Sequence, residues 1–102
     1  MRKVTLIKVI ETNTPFKKAL FSVTPALSGI GTAQYLVIQI HQGKNTFFVQ
    51  GHPCDSNAVI KNKEWVFTVE FENNEDAFIT ALHELIITVK QSDQINKYLE
   101  EE

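Results

Sequence analysis

One cysteine, Cys54, stands in 102 residues. A lone cysteine closes no internal disulfide, so the chain is not a disulfide framework, and it cannot form a four-cysteine zinc module. A reducing compartment suits it, and the expectation is a cytoplasmic protein. Long apolar runs are missing too. Met1-Arg2-Lys3 is followed by Val4-Thr5-Leu6-Ile7, and Lys8 then breaks the run. That is too short for the apolar region of a signal peptide, and no stretch approaches the ~18 apolar residues of a membrane span. Glycine and proline number only 4 and 3, which excludes a collagen-like chain.

Neither sign of charge dominates. Ten Lys+Arg against twelve Asp+Glu leave −2 and a pI near 5.9, whereas a nucleic-acid reader usually shows a basic face or a pI above about 9. The cations are scattered, with Arg2-Lys3 and Lys17-Lys18 the only adjacent pairs. Nucleic acid is therefore disfavoured as a partner, and no membrane partner is expected. The one acidic run, Glu100-Glu101-Glu102, reads as a frayed, solvated end.

What is present is apolar residue in strand-like spacing. The chain is 43% hydrophobic, and one of this size buries roughly 65% of its extended surface on folding. That suffices for a single domain spanning 1–102. From Glu64 to Glu72, Trp65, Phe67, Val69 and Phe71 alternate with Glu64, Thr68, Glu70 and Glu72, which describes a strand with one wet side. Ala33–Ile40 and Thr46–Gly51 are rich in β-branched and aromatic residues and read as a hairpin. A two-residue Gly43-Lys44 loop of type II′ sets Ile40 opposite Phe47 and Leu36 opposite Gly51. One face then collects Leu36, Ile38, Ile40, Phe47 and Val49, and the other Tyr35, Val37, Gln39, His41, Phe48 and Gln50.

Met1–Glu11 also reads as a strand, with poor alternation that suggests burial on both faces. Lys18–Thr24 alternates as a strand, although Thr14-Pro15 resembles a helix start. Pro25–Thr32 and His52–Lys63 read as long connections. Asn73 or Asn74 caps a helix over about Glu75–Gln91, whose stripe is Phe78, Ala81, Leu82, Leu85, Ile86 and Val89. A second short helix follows Ser92, carrying Ile95, Tyr98 and Leu99. The expected fold is α+β: a mostly antiparallel sheet of about five strands with a C-terminal helix on one face, in the order β-β-β-β-β-α.

No coherent catalytic set emerges. Gly51-His52-Pro53-Cys54-Asp55 is the one versatile cluster. It reads either as a thiolate nucleophile at Cys54 with His52 as base, or as a loop that tucks a small apolar thiol inside; the second is the more ordinary outcome. His41, His52, Cys54 and His83 do not make a metal site, because the hairpin holds His41 and His52 roughly 20 Å apart. Gly29-x-Gly31 lacks the third glycine and the helix of a dinucleotide fingerprint. No metal or cofactor is implied.

The strongest clue is a mismatch of areas. A helix about 10 Å wide covers two or three strands spaced about 4.8 Å apart, not five. The face carrying Tyr35, Val37 and Phe48 is left over, together with whichever side of the N-terminal strand the helix misses, and Ile79, His83 and Ile87, with Ile86, form a second apolar flank on the helix. Curling of the sheet, folded-back loops or a second copy of the chain would each cover such a face. The expectation is a non-catalytic interaction module, homodimeric, that binds itself, a protein or a small apolar ligand. A small cysteine enzyme built on Cys54 is the alternative. The size also suits an accessory protein of a phage or mobile element.

Overall fold

The computed structural model describes residues 2–11 and 18–101, with only the backbone described for 93–101. Five strands, β1 (Lys3–Ile10), β2 (Lys18–Ser28), β3 (Thr32–Gln42), β4 (Phe47–Cys54) and β5 (Phe67–Phe71), precede one helix, α1 (Glu75–Glu101). The strands form a single sheet in the order β1-β2-β3-β4-β5, and every neighbouring pair is antiparallel. This is the expected β-β-β-β-β-α layout.

Each departure from expectation has a local cause. The second strand does not stop at Thr24; it runs on to Ser28. A register shift between Ser22 and Leu27 takes in Pro25, which has no N–H to donate. The long connection expected at Pro25–Thr32 therefore shrinks to Gly29–Gly31. Trp65 lies over that turn, and a Cβ on Gly29 would sit 3.2 Å from its Nε1. The possible helix start at Thr14-Pro15 lies outside the described residues.

The β3–β4 hairpin slips by two residues. Ile40 faces Val49, and Gln42 faces Phe47. Residues 43–46 form the loop, closed by the Gly43 N–H donating to the Thr46 carbonyl at 2.8 Å. Gly43 does not take the positive φ that a type II′ turn needs at its first central position. Its lack of a side chain serves a close approach instead, since a Cβ there would lie 2.9 Å from the Phe48 ring. An even slip keeps every side chain on its expected face, so Leu36, Ile38 and Val49 still enter the main core.

The helix starts where its cap predicts. Asn74 Oδ1 accepts the Ala77 N–H at 2.8 Å, and Glu75 and Asp76 occupy the first turn, where the helix dipole favours negative charge. It does not break at Gln91, and no second helix begins after Ser92. No glycine or proline interrupts 75–101, and Ser92 Oγ donates back to the Val89 carbonyl at 2.9 Å, a bond compatible with helix. The side chains of Ile95, Tyr98, Leu99 and Glu100–Glu102 lie outside the described residues. Ala81, Leu85 and Val89 bury themselves against Val23, Leu27, Leu36, Ile38, Val49 and Phe71. The Leu85 side chain lies directly over Gly51, where a Cβ would be 3.1 Å from Leu85 Cδ2.

The opposite sheet face is partly covered by its own chain. Leu20, Val37 and Cys54 form a second, smaller core with Ile10, Tyr35, Ala58 and Ile60. The segment after β4 folds back to do this: Cys54 bridges Ile60, and Asp55 Oδ1 accepts the Asn57 and Val59 N–H groups at 2.8 and 3.0 Å. Of the three ways to cover the leftover face, a folded-back loop is the one seen here. It buries Val37, which the sequence places on a free surface.

Candidate functional site

Cys54 ends β4 and points into the small core, fully buried. Burial, then the neighbouring Asp55 carboxylate, pushes its thiol up to about 11. At neutral pH the thiolate fraction is then on the order of 10⁻⁴. His52, two residues earlier, is also buried. Desolvation, and secondarily the Lys18 charge, lowers its pKa and favours neutral imidazole. Its Nε2 lies 3.4 Å from Gln39 Nε2, and its Nδ1 has no hydrogen-bond partner among the described residues. The ring is therefore turned to Gln39, with no hydrogen bond joining it to the Cys54 sulfur. The geometry offers neither an exposed nor an activated thiol. Alkylation by iodoacetamide near neutral pH should accordingly run at least about 100-fold slower in the native protein than in urea, and rise only as pH climbs toward the elevated thiol value. Rapid labelling of the native protein below pH 7 would revive the cysteine-enzyme reading.

The histidines stay apart, though less far than expected. The slipped register sets His52 opposite Val37 and His41 opposite Phe48. Four residues of strand separate them, about 13 Å and not 20 Å. His83 belongs to the helix. Among the described residues no three His, Cys, Asp or Glu side chains gather as a metal site would need.

Of the expected interaction residues, Tyr35 and Phe48 are half-buried, and Phe48 tilts against His41 with ring centroids 6.4 Å apart. Ile79 and Ile87 are 46% and 50% exposed, and His83 lies exposed between them. The more conspicuous surface is the side of the N-terminal strand that the helix misses. β1 was expected to be buried on both faces, yet Leu6, Ile7 and Val9 are 55%, 48% and 52% exposed. Only Val4 and Ile10 are half-buried in this strand. The reason is topological. The first strand of a simple meander is an edge, and α1 crosses the sheet mainly over β5 and β4.

The other edge differs in character. β5 has five residues. Beside it, Glu70, Glu72, Asp76 and Glu84 line an open groove of about 570 Å³ against the first turns of α1. One edge is thus longer and richer in exposed apolar residues, with Lys3 and Lys8 within it, while the other is short and acidic. No helix among the described residues is long and apolar enough to cross a membrane. No protein-family model, curated protein or solved structure matches this chain.

Proposed function

We propose that this protein is a non-catalytic, cytoplasmic interaction module that docks through the apolar surface its own helix leaves bare, and that a second copy is its first partner. The observation that carries the reading is the exposure of Leu6, Ile7 and Val9 on an edge strand. β1 carries Lys3, Lys8 and a bulge, features that temper edge pairing, yet three exposed apolar side chains gathered on one strand usually mark an interaction site. Ile79 and Ile87 extend the same argument to the helix. The buried, protonated Cys54 supports this reading over the enzyme.

Light scattering on a sizing column at tens of micromolar tests it. The expected mass is twice 11.6 kDa. Leu6→Glu and Val9→Glu should each return the protein to monomer while changing stability by only about 0.5 kcal/mol, because both sites are exposed. A wild-type species of 11.6 kDa overturns self-association. A dimer indifferent to both changes but broken by Ile87→Glu moves the surface to the helix.

A further inference from the structure

We propose that two copies join β1 to β1, antiparallel, into one continuous sheet, with the two-fold axis between Leu6 and Ile7. The inference rests on the self-association reading above and specifies its geometry.

The bulge in β1 selects the register. Before it, Val4 faces Val23 and Leu6 faces Phe21, placing both on the helix side of the sheet with the main core. Lys3 and Thr5 point the other way. The register then shifts between Leu6 and Lys8, so that Lys8 faces Leu20 and Val9 faces Ala19. Leu20 and Ile10 belong to the small core, so Lys8 and Ile10 point away from the helix and Val9 points toward it. The inserted residue is Ile7. A regular strand pairs with its own copy, faces matched, only in registers that set some residue opposite itself. Here the bulge reverses the alternation halfway, and the matching register is the one that sets Lys3 opposite Ile10. Val4 then meets Val9 on the helix side, Thr5 meets Lys8 on the far side, and Leu6 and Ile7 meet at the axis.

Two further properties favour that register. It uses all eight residues of β1, and no lysine faces a lysine. Sliding by two residues in one direction sets Lys3 opposite Lys8, a like-charge pair that destabilises a sheet. Sliding the other way carries Lys3 past the end of the strand. The β5 edge offers no equivalent, being five residues long, with Glu70 within it and Glu72 just after it. In the joined sheet both helices lie on one side, with Leu6 and Val9 of each copy along the floor between them.

Disulfide trapping reads this register directly. In a Cys54→Ala background, Thr5→Cys and Lys8→Cys are prepared separately; both sites are exposed. Residues facing one another across an antiparallel pair have Cα atoms about 4.5–5.5 Å apart, within disulfide reach. Each variant alone places its two thiols about 10 Å apart along the strand. Mild oxidation of the mixture should give at least about tenfold more cross-linked dimer than either variant alone. Strong cross-linking of Thr5→Cys by itself overturns the register. A dimer by light scattering that does not cross-link in the mixture overturns the β1 joint and leaves self-association standing. Species that lengthen with concentration would indicate β1-to-β5 stacking and also overturn it. A monomer removes both proposals.

Discussion

Replacing Arg2 with methionine should cost about 3 kcal/mol of folding stability, read as a lower urea midpoint at unchanged slope. The side chain is buried, and its donors reach three parts of the chain. Nε donates to the Pro25 carbonyl at 2.9 Å, Nη2 to the Ala26 carbonyl at 3.1 Å, and Nη1 to the Val89 carbonyl and Ser92 Oγ at 2.7 and 2.8 Å. The guanidinium therefore ties the start of β1 to the irregular part of β2 and to the helix. A methionine fills similar volume but leaves those acceptors without these donors. Hydrogen bonds from a charged group contribute about 1.5–3 kcal/mol each, and the desolvation cost of burying the charge offsets part of their sum. Lysine keeps the charge but loses the fork, since a point ammonium cannot hold carbonyls in three directions. Arg2→Lys should thus lose nearly as much as Arg2→Met. A loss below about 1 kcal/mol for both would mean that the clasp is incidental to stability.

Arg2 also shows where sequence reading stops. In the sequence it is one of ten scattered cations, and no periodicity distinguishes it from Lys3. Its role depends on Pro25, Ala26, Val89 and Ser92 converging in space, which is long-range information. Local patterns read far better. The alternation expected over Glu64–Glu72, the Asn74 cap and the Ala81–Leu85–Val89 stripe each express a period or a cap chemistry confined to a few residues. That alternation forms strand only from Phe67 to Phe71, while Trp65 sits outside it over the Gly29 turn. The hairpin was half legible. Its faces follow from alternation, whereas its register does not, because a slip of two residues leaves every face unchanged. The Phe48 ring packed against Gly43 belongs to the observed turn, and no alternation pattern encodes it.

The candidate surface was legible in the same uneven way. Ile79, His83 and Ile87 follow from helical spacing, and all three are exposed. Val37 does not belong with them, because the fold-back that covers it depends on Ala58 at φ 63°. That left-handed conformation is uncommon for alanine, and nothing in the sequence advertises it. The extent of exposure on β1 was hidden by composition. Its apolar residues suggest a buried strand, while the strand order, which decides whether it has one neighbour or two, is not written in any single segment.

The packing of Leu85 over Gly51 gives the largest expected effect. Leu85 is fully buried, and Leu85→Ala should cost about 3–5 kcal/mol from lost burial and the cavity left behind. For a domain of this size that lowers the melting temperature by roughly 15 °C or more. Gly51→Ala should act in the opposite spatial sense. Its new Cβ would stand 3.1 Å from Leu85 Cδ2 and 3.3 Å from Leu36 Cδ2, so these side chains must shift, at about 1–2 kcal/mol. The two changes share one space, and their effects should not add. In Gly51→Ala/Leu85→Ala the added methyl enters the volume the leucine vacated and meets no Leu85 Cδ2. The double variant should therefore be more stable than the sum of the single losses by at least about 1 kcal/mol. Calorimetric or urea melts of the four proteins give that coupling. Strict additivity would mean that α1 rides higher over β4 than Gly51 implies, and the helix would then be held by its flanks, Phe78 and Val89, more than by its centre.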